Sequence, residues 1–175
     1  MELLKGFPVK KYMEKKPPSD NSNTTKKEVL ELSKTPIKER FVKEMDDGRS
    51  NFEKIVGKDP MIKQLINESD QIIKKIKKHH NRPRPKVLAK KFGIKMKDIE
   101  LDTMKTPSYP SGHSAQSFLL ALTLGDKYPN KRDKLMKKAR DISKSRRDAR
   151  AHYTSDSLFG EQIGKDMYKY IKNKI

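Results

Sequence analysis

Apolar residues recur at intervals of three and four positions along most of this 175-residue chain. That period is typical of α-helices that bury one face. The longest such pattern covers residues 60–78, where Asp59-Pro60 supplies a helix start. It must end before residues 82–85, because the two alternating prolines of RPRP cannot continue a helix.

Helical patterns also cover residues 114–124, about 131–150 and about 155–171. The first of these is the most apolar segment of the chain. The last carries Gly160 and Gly164, whose spacing of four would permit close packing against another helix.

The pattern is weaker toward the N-terminus. Residues 27–33 carry a short apolar patch, and Thr35-Pro36 then indicates a further helix that Gly48 would end. Residues 86–107 have no clear period.

The order of these segments predicts the fold class. We expect an irregular N-terminal arm over residues 1–26 and a single helical domain over residues 27–175. No segment shows the alternation of a useful β-strand. The predicted class is therefore all-α, a bundle of about five or six helices.

The charge of the chain indicates a partner that is anionic. Lys and Arg number 42 against 23 Asp and Glu, a formal charge of +19. Such a field attracts nucleic acid, anionic membranes and phosphorylated substrates, and a lysine-rich solvated surface is the alternative interpretation. Aromatic residues are not interleaved with the basic ones for base stacking, so nucleic acid is not the expected partner.

The sequence also bears on location. No apolar run approaches the roughly 20 residues of a membrane span, and the first residues lack the apolar stretch of a signal peptide. A cytoplasmic protein with no transmembrane segment is expected, with peripheral contact to an anionic membrane left open.

Two features near the C-terminus are candidates for chemistry. Arg146 shares the apolar stripe of its helix, where it would meet either an anionic ligand or the acid of a structural salt bridge. His152 precedes Asp156 by four residues, so the carboxylate could hold one ring nitrogen and leave the other as a base or nucleophile. An ordinary polar pair is the alternative there.

The stretch SYPSGHS precedes the most apolar helix. A helix N-terminus presents unpaired N–H groups that suit phosphate, and Gly112 lets the backbone approach an anion closely. Ser111 would add a hydroxyl, and His113 lies beside it. A simple helix cap is the alternative for this stretch.

Together these residues form three blocks. Lys75 is followed after six residues by Arg82-Pro83, residues 110–113 read PSGH, and Ser145-Arg146 is followed by His152 and Asp156. This set resembles the signature of the type 2 phosphatidic acid phosphatase superfamily, which includes class A nonspecific acid phosphatases and vanadium-dependent haloperoxidases. The residues flanking the blocks resemble the soluble acid phosphatases most.

The resemblance implies an acid phosphatase/vanadium haloperoxidase-like fold and a role for each block. His152 would be the nucleophile that forms a phosphohistidine, Asp156 would orient it, and His113 would be the general acid and base. The substrate phosphate would be bound by five residues: Lys75, Arg82, Ser111, Gly112 and Arg146. No metal and no cofactor are expected, because cationic side chains would neutralise the phosphate.

The chain departs from the family pattern in one block. Between Arg146 and His152 relatives usually carry small or apolar residues, often with a glycine two positions before the histidine, whereas this chain has Arg150 there. Because His152 lies off the stripe of a regular helix, the chain must turn or unwind near Arg150.

The expected function is metal-independent hydrolysis of a phosphomonoester, either a small molecule or a lipid phosphate. Two alternatives remain at this point. One is a vanadium-dependent haloperoxidase, which would use nearly the same residues. The other is a basic protein that binds nucleic acid or a membrane surface and whose site is idle.

Overall fold

A computed structural model describes residues 1–97 and 99–175 of the chain. Within them the fold is all-α, without strands. The helices are α1 (Val9–Met13), α2 (Asn23–Lys34), α3 (Glu39–Asp46), α4 (Gly48–Val56), α5 (Pro60–His80), α6 (Pro85–Lys91), α7 (Gly112–Lys127), α8 (Arg132–Asp148) and α9 (Thr154–Ile171). Short 3-10 turns lie at Asp102–Lys105, Pro129–Lys131 and Lys172–Lys174.

Helix α7, the most apolar helix, lies at the centre of the molecule. It packs against α5 and, most extensively, against α8 and α9. Gly160 and Gly164 lie where α9 crosses α7, and a side chain at either would collide with the α7 backbone. The N-terminus of α7 is thereby fixed beside the N-terminus of α9.

The bundle contains more helices than the five or six expected, because short capped helices lie between the long ones. Gly48 does not end the third helix but begins α4, where the Asp47 side chain accepts a hydrogen bond from the Ser50 amide. Pro85 begins α6. It occupies the first turn of the helix, where the missing N–H of proline breaks no helical hydrogen bond. The remaining addition, α1, lies in the N-terminal arm.

Residues 1–26 are more ordered than the expected irregular arm. They contain α1 and the start of α2, which the Ser22 side chain caps. Leu3, Leu4 and Tyr12 are buried in the main core, and the Tyr12 hydroxyl donates to Asp166 of α9. The arm therefore packs on the same core as the later helices.

The connection between α8 and α9 confirms the predicted break near Arg150. Helix α8 ends at Asp148, and Arg150 has a left-handed backbone with a φ of 60°. Glycine adopts that conformation most easily. The Arg150 guanidinium donates to the carbonyl oxygens of Ser33, Thr35 and Lys97, which anchors the turn to neighbouring segments.

Across residues 1–97 and 99–175, every helix is too short or too polar to cross a bilayer.

Candidate active site

His152 lies immediately before α9 and is held at both ring nitrogens. Its side chain is 4% exposed, and Nδ1 lies 3.1 Å from Oδ2 of Asp156. Its Nε2 lies 2.9 Å from the Arg84 guanidinium, which donates to it. Since Nδ1 then carries the proton for the carboxylate, Nε2 presents its lone pair toward Arg84.

Asp156 is fully buried in the first turn of α9. One carboxylate oxygen accepts from His152, the Tyr153 amide and the Ser108 hydroxyl, and the other accepts from Arg82 at 2.8 Å. Burial raises the pKa of this carboxyl to about 6, against the opposing effect of the Arg82 charge. Both oxygens thus have fixed partners, so the orientation of His152 is fixed too.

Arg84 and Lys77 bring two buried cations to His152. Arg84 donates to the carbonyl oxygens of Thr103, Thr106 and Ala151, while Lys77 donates to the Thr106 hydroxyl at 3.1 Å. Burial, followed by the charge of Arg84, lowers the pKa of Lys77 to about 7. Burial lowers the pKa of Arg84 to about 10, so Arg84 stays charged at neutral pH.

The N-terminus of α7 forms another wall. It follows a cis Tyr109–Pro110 bond, and Ser111 caps the helix by accepting from the Ser114 amide at 3.3 Å. A Cβ added to Gly112 would lie 4.0 Å from the Lys77 ammonium nitrogen. Glycine therefore leaves space between the helix amides and this cation, which is where an anion would be attracted from both sides.

His113 and Arg146 lie together at the end of α3. The His113 Nε2 donates to the Asp46 carbonyl at 2.7 Å, and Arg146 forms an ion pair with the Asp46 carboxylate, also at 2.7 Å. Arg146 is 1% exposed, as its inward stripe predicts, whereas the Asp46 side chain is 43% exposed. Burial, followed by the Arg146 charge, lowers the pKa of His113 to about 4. The salt-bridge alternative for Arg146 is therefore realised in this structure.

A cavity of about 250 Å³ lies beside several of these groups. His152, His113, Gly112 and Lys77 line it together with polar side chains that include Asp70 and Gln116. The pKa of His152 is lowered by burial first and then by the charges of Arg84 and Lys77. The cavity is thus a small space lined by both site histidines and by the lysines Lys74 and Lys77, with Asp70 as an opposing charge.

Three of the eight predicted site residues line this cavity: His152, His113 and Gly112. Asp156, Ser111 and Arg146 contact these three or lie next to them, whereas Lys75 and Arg82 do not face the cavity. Lys75 is exposed and lines a separate surface pocket with Leu4 and Phe7. Arg82 is buried behind Asp156, on the side away from the His152 ring nitrogen Nε2. The residues beside His152 are instead Lys77 and Arg84, two positions further along.

The physical reason is the geometry of the two segments. Residues two apart on a helix differ by about 200° in direction, so Lys75 and Lys77 face opposite sides of α5. The segment that follows α5 is not regular, so Arg82 and Arg84 need not point in the same direction. Asn81, whose backbone is left-handed, changes the direction of the chain just before Arg82. The sequence therefore contains the lysine–arginine–proline spacing twice, and in the second copy Lys77 lines the cavity and Arg84 contacts His152.

A signal for Lys77 was present in the hydrophobic pattern. Lys77 follows Ile73 by four residues and so extends the apolar face of α5, whereas Lys75 does not. Ser108, Thr106 and Asp46 carried no such signal, since each lies in a loop or at a helix end where no period applies.

Comparison with known proteins assigns the chain to a family. The family model described as the PAP2 superfamily matches residues 65–165, which include all three blocks. Non-specific acid phosphatases from Salmonella typhi and Salmonella typhimurium are 38% and 36% identical over 88 residues. Each match covers 50% of this chain but 35% of the relative. Since the family model spans more than half of the chain, the protein belongs to the PAP2 superfamily.

Proposed function

We propose that this protein hydrolyses phosphomonoesters through a phosphohistidine formed on His152, without a metal ion. The observation that carries the proposal is the state of His152: Nδ1 bonds to buried Asp156, Nε2 accepts from Arg84, and the ring lines a cavity that Lys77 also lines. A histidine held in this way presents a lone pair toward the point where cations would bind phosphate.

The proposed reaction has two displacements. The His152 Nε2 attacks phosphorus while the ester P–O bond breaks, and the departing oxygen takes a proton from His113. Water then attacks the phosphohistidine, giving a proton to His113, and the P–N bond breaks to release phosphate. Asp156 keeps its bond to Nδ1 and stabilises the imidazolium that forms in the first step.

The cationic groups would stabilise the charge of the transferred phosphoryl group. We assign this role to Lys77 and Arg84, together with Arg146 and the amides at the start of α7 that follow Ser111, including Gly112. Phosphate bound there would offset the Arg146 charge that lowers the pKa of His113, so substrate binding would favour the protonated general acid.

The size of the cavity supports a small substrate. About 250 Å³ suits a small phosphorylated alcohol rather than long acyl chains, which require a larger site. A lipid phosphate held at an anionic surface is the second substrate class, motivated by the +19 charge. Glycerol phosphate and phosphatidic acid in mixed micelles should be compared, and faster turnover of the lipid would contradict the preference for small substrates.

The function is tested by hydrolysis of an aryl phosphate in the presence of a chelator. We expect wild-type activity that His152→Ala abolishes and that His79→Ala retains, since His79 is exposed at the end of α5. Acid quench of the wild type with labelled substrate should trap a phosphohistidine. Absence of hydrolysis from pH 4 to 8 would refute the proposal. Halide oxidation with added vanadate would then indicate the peroxidase, and salt-sensitive DNA binding alone would indicate an idle site.

A further inference from the structure

The first copy of the lysine–arginine–proline spacing has a buried arginine that does not reach the cavity. Arg82 is 1% exposed, and its guanidinium donates to Asp156 at 2.8 Å and to the Ser155 hydroxyl at 2.7 Å. It also stacks on the Tyr153 ring, 3.8 Å from the ring centroid. A charge this deeply buried needs a compensating anion, and Asp156 is the nearest one.

A second acid reaches Arg82 from another helix. Glu28 of α2 lies 3.4 Å from the Arg82 guanidinium and accepts hydrogen bonds from the Ser155 amide and hydroxyl at 3.0 and 2.8 Å. Its side chain is 11% exposed. Arg82 is therefore shared between two carboxylates, one that contacts His152 and one that does not.

We infer that Arg82 and Glu28 are positioning residues that together set the charge of Asp156, and through it the proton on the His152 Nδ1. This inference rests on the proposed function. Arg82 favours the ionised carboxylate that His152 requires as a hydrogen-bond acceptor. Glu28 draws part of the Arg82 charge away, so it works in the opposite direction.

The electrostatic surroundings of Asp156 support these signs. Burial raises the pKa of Asp156, and the Arg82 charge is the largest influence that lowers it. Other titratable groups act on Asp156 or on its immediate partners: His152, Lys77, Arg84, Tyr109, Tyr153, Glu28 and Asp20. Arg82, unlike Lys77 and Arg84, forms a direct ion pair with Asp156.

The two substitutions Arg82→Gln and Glu28→Gln should therefore shift the acid limb of kcat/KM in opposite directions. Loss of an opposite charge in contact raises a carboxyl pKa by about 1–3 units, so Arg82→Gln should move the limb to higher pH by at least about one unit. In Glu28→Gln the Arg82 charge is paired with Asp156 alone. The acid limb should then move to lower pH, on the order of half a unit. A merely structural role would lower activity without opposite shifts.

A second measurement does not depend on turnover. The ring nitrogens of His152, labelled with ¹⁵N, should show the Nδ1-bonded state lost at higher pH in Arg82→Gln than in wild type, and at lower pH in Glu28→Gln. Lys75→Gln, from the exposed part of the same motif copy, is the matched control and should follow the wild type in both measurements. Inorganic phosphate should bind Arg82→Gln within about twofold of wild type, whereas Arg84→Gln should lose at least tenfold.

The outcomes separate the two proposals. If the wild type lacks phosphatase activity but the two variants show opposite ¹⁵N shifts, the proposed function is refuted. The inference that Arg82 and Glu28 set the charge of Asp156 would still be supported. An active wild type with unshifted limbs in both variants, or with shifts in the same direction, would overturn the inference. If Arg82→Gln does not fold, Glu28→Gln decides: a limb at lower pH supports the inference, and an unchanged or higher limb overturns it.

Discussion

The crossing of α7 and α9 should be intolerant of a single methyl group at Gly160. A Cβ there would lie well under 3.0 Å from the Ser111 carbonyl oxygen and 3.1 Å from the Ser114 Cβ. The first of these atoms is backbone and cannot rotate away, so α9 would have to move from α7. We expect Gly160→Ala to lower the free energy of unfolding and to displace the residue before Gly112.

The expected magnitude follows from two opposed effects. Overpacking costs about 1–3 kcal/mol, and a backbone clash favours the upper end of that range. Alanine is favoured over glycine inside a helix by about 1 kcal/mol. The net loss is therefore about 2 kcal/mol, which for a domain of this size lowers Tm by roughly 4–8 °C.

Two further alanine substitutions serve as comparisons. Gly164→Ala would place a Cβ close to the Ala115 carbonyl and 3.0 Å from the Phe118 Cβ, so it should cost about as much stability. Gly48 has no atom within 4 Å of the added Cβ, and Gly48→Ala should be neutral or slightly stabilising.

Urea unfolding and kcat/KM measured well below Tm would test this. Gly160→Ala should lose more activity than Gly164→Ala, up to about a hundredfold, because displacement of about 1 Å at a reacting centre can cost that much. The reasoning is refuted if Gly160→Ala unfolds at the same urea concentration as Gly48→Ala.

Three other predictions follow from charges and backbone near the cavity. Asp46→Asn should lower the inhibition constant for inorganic phosphate by about two- to fivefold, because the partly exposed carboxylate competes for Arg146; an increase would contradict this. Lys77→Gln should raise KM about tenfold at pH 6. The ratio of the variant KM to the wild-type KM should fall toward one above pH 8, because the wild-type Lys77 amine has a pKa of about 7 and is neutral there. A ratio that stays constant with pH would count against the assignment. Arg150→Gly should be more stable to urea than Arg150→Ala by about 1–2 kcal/mol, since both lose the guanidinium and glycine alone tolerates the left-handed backbone; equal stability would contradict that account.

Much of the helical framework could be predicted from local patterns. The caps at Asp59 and Ser111 and the break near Arg150 lie where the residues indicate them. The short helices were missed for a local reason as well: Gly48 is a common helix end, and here Asp47 makes it a helix start by capping the next one.

Part of the site was also predictable, because its spacing is short. His152 and Asp156 are joined within one turn at the start of α9, and His113 follows the cap of α7. Asp46 and Ser108 could not be found in this way. They reach the site from a helix end and a loop that are distant in sequence, and such contacts leave no period in the chain.

Local sequence patterns were enough to predict the all-α class and the order of the main helices, because helix periodicity and caps act over a few residues. The PSGH and Arg–His–Asp blocks could be read directly from the chain. The lysine–arginine–proline motif did not show which copy lies beside His152, since both copies have the same spacing, although Lys77 extends the apolar face of α5. Packing of α5 against α7 decided that, by turning Lys77 toward Gly112 and leaving Lys75 in solvent. The same packing placed Arg84 on His152 and Arg82 behind Asp156. Whether a side chain points toward a cavity depends on neighbouring residues that are distant in the sequence. Those neighbours are known from the tertiary structure and not from the local pattern.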